Sequence, residues 1–226
     1  MRLDELNWMD VEQYLKTDDR LMLVIGACEQ HGYLSLLTDA KIPQALADAA
    51  SKRSGVLVAP PLNFGVSPHF GAYPGTISLR LITFLDVIED MIRSVYRHGF
   101  RRLVILNGHG GNDPARTRIT EILPELSGLN VRWYAWWGAP HVTEVAEKHG
   151  LKSYHAAWIE AFSFVRVANV PAETKIPPVT PEILDAAGYR QFYGDGVFGG
   201  PYQVDDAILD EIFTVCVQDI IDLLDK

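Results

Sequence analysis

Leu21-Met22-Leu23-Val24-Ile25-Gly26-Ala27-Cys28-Glu29-Gln30-His31-Gly32 is the stretch on which the reading of this chain turns. Leu21 to Gly26 is a short apolar run closed by glycine, the pattern of a parallel strand buried on both faces. Directly after it the chain becomes acidic and imidazole-bearing, with Asp39 a little further on. In an open α/β sheet, ligands gather where strands end and loops begin. A carboxylate beside an imidazole suits Zn²⁺ or Mn²⁺. Taken alone, the segment has a plainer reading as well: Glu29 capping a helix and His31 satisfied within a loop.

Two further clusters favour the metal. Arg101 to Leu106 is a second β-rich run, and it leads into Asn107-Gly108-His109-Gly110-Gly111-Asn112. Three glycines around one histidine let the backbone turn sharply and approach a bound group closely. A phosphate loop is excluded, because the GxGxxG register and a following Lys-Ser/Thr pair are both missing. The alternative is a Gly-rich loop that packs a helix on the sheet, with His109 incidental. The third cluster, His155-Ala156-Ala157-Trp158-Ile159-Glu160, again sets a histidine near a carboxylate.

Working outward, helices and strands alternate. Asn7 introduces a short capped helix over Trp8 to Leu15. Ile42 to Ser51 has helical spacing, with Pro43 suited to a first turn. Gly55 to Ala59 reads as a strand, and Leu62 to Gly75 as a long loop of the length that often carries function. Leu81 to His98 is a periodic helix with Gly99 as its cap. Helices follow over Pro114 to Leu126 and Val142 to His149, with an aromatic strand, Val131 to Trp137, between them. Ala156 to Val165 reads as helical at its start, Val170 to Pro181 as an exposed Pro-rich connection, and Phe198 to Pro201 as a turn. Ala207 to Leu224 is a closing amphipathic helix. The sum is an α/β fold: a single three-layer α/β/α domain over residues 1–226 with a mostly parallel sheet.

The three clusters together resemble the creatininase family, also called creatinine amidohydrolase-like proteins. The resemblance rests on Glu29-Gln30-His31-Gly32 with Thr38-Asp39, on Tyr73-Pro74-Gly75-Thr76, on Asn107 to Asn112, and on His155 to Glu160. It implies a dinuclear site with Glu29 and His109 on one ion, His31 and Glu160 on the other, and Asp39 bridging. Zn and Mn are the expected ions, with Fe a further candidate. Two ions about 3.5–4 Å apart can activate water and polarise an amide carbonyl. His155 is the expected general acid/base, with Glu160 next in line. His69, in the long loop, and one of the adjacent Trp136 and Trp137 are candidates to hold substrate; the block to both is that neighbours on a strand face opposite ways, and Trp136 is the candidate of the pair.

The departures from the family pattern are concrete. Tyr33-Leu34-Ser35-Leu36 replaces the usual Pro-His-Leu-Pro, and Glu29 to Asp39 is one residue shorter. Creatinine-hydrolysing members carry a glutamate ligand two residues after the histidine of Asn-Gly-His, where this chain has Gly111. The expected reaction is therefore metal-dependent cleavage of a C–N bond in a small cyclic amide, a formamide or a modified peptide, with creatinine itself disfavoured. The competing reading is a binding or assembly protein that has kept the fold.

Composition agrees with an enzyme of this kind. The chain has 226 residues, 48% hydrophobic and 22% charged, and a net charge of −9. That charge argues against nucleic acid, which selects a basic face. No apolar run approaches the roughly 18 residues of a membrane span. Cys28 and Cys216 are the only cysteines, too few for a disulfide framework, and Cys28 reads as a buried strand-end thiol. The expectation is a cytoplasmic homo-oligomer, with a hexamer the size that the resemblance implies.

Overall fold

A computed structural model describes residues 1–179 and 182–226. Its central sheet consists of β1 (Arg20–Ile25), β2 (Leu57–Val58), β3 (Arg102–Asn107) and β4 (Asn130–Ala135). These run parallel in the order β2-β1-β3-β4. The helices are α1 (Trp8–Tyr14), α2 (Thr38–Ser54), α3 (Leu81–Arg97), α4 (Ala115–Ile122), α5 (Pro140–Lys148), α6 (Ala186–Tyr193) and α7 (Asp206–Asp225). Two short strands, β5 (Thr174–Lys175) and β6 (Gly200–Pro201), pair antiparallel.

Side chains alternate across the sheet. Met22, Val24, Val104 and Leu106 pack into one core with α2, α5 and α7. Leu21, Leu23, Ile25, Leu103 and Ile105 pack into the other with α3 and α4, flanked by Val11 and Tyr14 of α1. Both faces of the sheet are dry, which is why β1 and β3 are apolar at consecutive positions and not at alternate ones.

The chain leaves β1 through α2 to reach β2 on one side, then crosses through α3 to β3 on the other side. The winding therefore reverses between β1 and β3, and a crevice opens beyond their carboxyl ends, the place where such sheets bind ligands. Both histidine-bearing turns of the sequence, after Gly26 and after Asn107, open into this crevice.

The start of α2 fills the crevice from beneath. The helix begins at Thr38, four residues earlier than its apolar spacing suggested, so Pro43 lies in the second turn and not the first. The Thr38 hydroxyl donates to the Ser35 carbonyl (2.7 Å), and the Leu37 N–H donates to Ser35 Oγ (3.2 Å), so the preceding turn sets the start. Asp39 consequently lies in the first helical turn. Its carbonyl is pressed against two glycines: a Cβ at Gly26 would stand 2.5 Å from it, and a Cβ at Gly108 only 1.8 Å. Those glycines let helix and strand ends meet at backbone distance.

Other elements differ from the pattern in the sequence. Asn7 does cap α1, accepting from Met9 and Asp10 N–H. Ala156 to Val165 forms two short 3-10 turns instead of a helix start. Phe198 to Pro201 contributes β6 instead of a plain turn, and α6 carried no signal strong enough to be read. Of the connection from Val170 to Pro181, the last two residues, Thr180 and Pro181, lie outside the described residues. Cys28 is buried, its thiol 3.3 Å from the Gly75 carbonyl. No helix among the described residues is long and apolar enough to cross a membrane.

Gly108→Ala is expected to lower stability by about 1–3 kcal/mol, the range for overpacking a tight site. Gly138, where a Cβ would meet nothing within 4 Å, is the control. Urea midpoints measured for Gly108→Ala and Gly138→Ala check this, and equal midpoints would contradict the close-approach account.

Candidate metal centre

The loop after β1 carries Glu29 and His31, α2 carries Asp39, and the loop after β3 carries His109. All are buried, as is Glu160 from the 3-10 turn Trp158–Glu160. His31 Nδ1 lies 3.1 Å from the Glu29 carbonyl, which accepts its proton and leaves Nε2 facing inward. That Nε2 is 2.9 Å from Asp39 Oδ1 and 3.7 Å from Glu160 Oε1. His109 is held the other way round. Its Nε2 meets the Val66 carbonyl at 2.9 Å, and its Nδ1 stands 2.9 Å from Asp39 Oδ2. Backbone acceptors on the outer ring nitrogen are the usual means of fixing a metal-ligating imidazole.

Asp39 thus turns one oxygen to each histidine. Two groups of potential ligands result, Glu29–Asp39–His109 and His31–Asp39–Glu160, their ligand atoms within 4.8 Å of one another. Glu29, His31 and His155 form a third. Glu29 Oε2, His31 Nε2 and Asp39 Oδ2 are all buried without a well-directed hydrogen bond, although His31 Nε2 and Asp39 Oδ2 each face an oppositely charged group at 2.9 Å. Leaving buried polar atoms unpaired is costly, and divalent cations among them would satisfy all three. The structure thus brings Glu29, His31, Asp39, His109 and Glu160 together, a donor set whose chemistry suits a divalent cation, and the shortened loop before Asp39 does not displace it.

The charges are strongly coupled. Burial pushes Glu29 up to about 7, partly offset by His109. Burial would also raise Asp39, but His31 and His109 overcome it and hold the carboxyl well below its usual range. Burial would lower His109, yet Asp39 lifts it to about 9, and His31 is likewise raised well above normal by Asp39 and Glu160. His155 goes the other way, held well below normal by burial and by the neighbouring His31.

His155 sits beside the cluster, its Nε2 3.7 Å from Glu29 Oε1. Its ring stacks on Phe70 (4.7 Å, 12°) and tilts against His31 (4.6 Å) and Phe198 (4.9 Å). Gln30 had no role in the sequence reading, and the structure supplies one. The Gly32 N–H donates to its Oε1 (3.1 Å), and its Nε2 donates to the Gly196 carbonyl (3.0 Å) and faces His155 Nε2 at 3.0 Å. The amide is fixed at both ends, so it offers His155 a donor and keeps that nitrogen unprotonated. Its position between two acidic and basic neighbours in the motif was the only available hint. Glu160 Oε2 accepts from the Ala156 N–H at 2.6 Å, a contact made possible by the left-handed backbone of Ala156 (φ 60°).

Asn107 and Asn112 are both fully buried; the first braces its own loop and the second ties that loop to the segment after β1. Asn107 Nδ2 donates to the His109 carbonyl (2.8 Å), and Asn112 Nδ2 donates to the Gly26 carbonyl (3.1 Å). Of the two expected substrate contacts, His69 stands exposed at the rim of the recess that Glu29 and His109 line, edge-on to Tyr189 at 4.8 Å. Trp136 is not at the site. β4 ends at Ala135 and the chain turns, so strand alternation no longer applies. Trp136 packs into the core against Phe162, and Trp137 lines the cavity instead.

A family model for creatininase, described as creatinine amidohydrolase, matches residues 4–224. The chain belongs to the creatininase family. A creatinine amidohydrolase of Pseudomonas putida is 38% identical over 115 residues, which are 48% of this chain and 44% of that protein. A mycofactocin precursor peptide peptidase of Mycolicibacterium smegmatis is 31% identical over 120 residues, 50% of this chain and 48% of the relative. The matched segments span about half the length of these curated relatives or less. Over the whole fold, a crystal structure of creatinine amidohydrolase superimposes with a TM-score of 0.80 at 27% identity, covering 98% of this chain and 95% of that one. A creatininase described as the Mn form gives 0.80 at 27% identity, with 98% and 96% covered. Creatininases of this family act as hydrolases of C–N bonds, and solved ones include Mn and Zn–Zn forms.

In the metal-free protein, His109 keeps its proton up to pH about 9 and Glu29 up to about 7. A metal takes the unprotonated form of each ligand. Loading chelator-treated protein with Zn²⁺ or Mn²⁺ at pH 7.5 should therefore release protons, and affinity should climb as pH rises towards about 9. A pH-stat titration with parallel elemental analysis reads both; uptake without proton release would contradict this charge arrangement.

Proposed function

We propose that this protein is a metal-dependent amidohydrolase that cleaves a C–N bond through a dinuclear site. The observation that carries this reading is the Asp39 carboxylate, shared at 2.9 Å on each side between His31 and His109, with the potential ligand atoms of Glu29 and Glu160 gathered around it in the same buried volume. Glu29 and His109 would hold one ion, His31 and Glu160 the other, with Asp39 common to both. Zn²⁺ or Mn²⁺ suits these carboxylate and imidazole donors. Such ions supply a Lewis acid for the scissile carbonyl and lower the pKa of a water molecule.

The chain's own groups do the rest. His155 is neutral, borders both recesses beside the cluster and can accept a proton and return it to the leaving nitrogen. Gln30 holds the ring by donating to Nε2, so proton uptake at that nitrogen requires the Gln30 amide to release this hydrogen bond. The Phe70 and Phe198 rings exclude water from one side of His155.

The substrate is an amide other than creatinine. At position 111 a Cβ would stand 2.0 Å from the Val66 carbonyl and 2.5 Å from His109 Nε2. The glutamate that creatinine-hydrolysing members place there has no room here, because Val66 occupies the space while anchoring His109.

His155→Ala is expected to retain its metal while turnover falls by about 10²–10⁴-fold, the usual worth of general acid–base help. His109→Ala should lose metal and activity together. Elemental analysis beside hydrolysis rates for both variants tests the assignment. Metal loss from His155→Ala equal to that from His109→Ala would make His155 a ligand. A metal-loaded protein that hydrolyses no amide would leave the binding-protein reading in its place.

A further inference from the structure

We infer that the site takes an elongated amide, with an aromatic or similarly flat group on one side of the scissile bond and a polar extension on the other. The inference rests on the amidohydrolase reading above and adds the shape of its substrate.

Three recesses neighbour one another, two of them bordering the cluster and the third beyond it. The first, ≈ 380 Å³, reaches from Glu29 and His109 to an aromatic wall of Phe70, Tyr189 and Phe198. The second, ≈ 230 Å³, lies over Asp39, His109 and Glu160 and extends to Trp137. The third, ≈ 530 Å³, continues beyond Trp137 past Ser153 to Lys152 and Glu147. Adjacent recesses share their walls: His109, Gly110 and His155 border the first two, and Trp137 and Ser153 the last two. Gly110 has no side chain to stand between the first two.

The candidate metal ligands thus border the first two recesses, and the third opens on the far side of Trp137 and Ser153. A compact cyclic amide would occupy the second recess and leave the other two, its arms, empty. Ligand sites generally measure about 300–1,000 Å³, a range reached here only when an arm is included. The two arms also differ in chemistry. Phe70, Tyr189 and Phe198, paired through Phe70 at 5.8–6.2 Å, give the first recess an apolar wall against which a flat group packs, one face of Phe70 being taken by His155 and one face of Phe198 by Tyr193. The opposite arm offers the Ser153 hydroxyl and the Lys152 and Glu147 charges, which suit a polar chain.

The test compares metal-loaded protein on four probes: a blocked dipeptide with one aromatic side chain, an N-acyl anilide, 2-pyrrolidinone and N-methylformamide. Hydrolysis rates and calorimetric affinities are both recorded. Expected is a kcat/KM at least about tenfold higher for an elongated probe than for the lactam, the discrimination a filled apolar pocket provides. Tyr189→Ala should raise KM for that probe by about tenfold, with metal content unchanged and with Tyr189→Phe behaving as the parent. Lactam turnover equal to or better than that of both elongated probes would overturn the inference and leave the amidohydrolase reading intact. Failure of both elongated probes to bind would also overturn it. Tight, Tyr189-dependent binding of an elongated probe with no hydrolysis of any amide would uphold the elongated site and sink the hydrolytic reading.

Discussion

One carboxylate organises this molecule. Asp39 faces His31 on one oxygen and His109 on the other, and those histidines follow different strands, β1 and β3. The arrangement requires a helix to begin inside the crevice between those strands. It can do so because Gly26 and Gly108 allow the Asp39 backbone to pass within a distance no side chain would permit. The topology supplies the crevice, the glycines open it, and the helix start delivers the acid.

The surrounding network keeps that geometry rigid. Val66 fixes one histidine and the Glu29 carbonyl the other, so each ring offers its inner nitrogen to the same small volume. Asn107 braces the loop after β3 from within, and Asn112 ties that loop to the end of β1 at Gly26. Buried carboxylates and imidazoles at this density are costly unless paired. The mutual shifts of Asp39, His31 and His109 show how completely each depends on the others. Divalent cations would replace that fragile proton-sharing with direct coordination.

Membership in the creatininase family sets the chemistry's general class, while the details of this chain shape its range. Gly111 and Val66 form a closed contact where creatinine-hydrolysing members place a ligand, and His155 is enclosed by phenylalanines and steadied by Gln30. The late segment takes part as well: α6 and the residues after it bring Tyr189, Gly196 and Phe198 to the site.

The sequence by itself determined the sheet and the chemistry of its loops. Apolar runs such as Leu21–Ile25 and Leu103–Leu106, short and closed by turn residues, suit parallel strands covered on both faces, and Glu29, His31, Asp39, His109, His155 and Glu160 stand in motifs that carry their own spacing. Tertiary structure decided what depends on contacts between distant segments. The start of α2 was hidden because the Ser35–Thr38 turn sets it and apolar spacing does not. The exchange of Trp136 for Trp137 was hidden because a turn after β4 ends the strand alternation that neighbouring residues would otherwise obey. Gln30 acquired its role only when Gly196, 166 residues away, closed on its amide. Local pattern records which backbone a segment prefers; which side chain meets which cavity is settled by packing, and packing is not written at any one position.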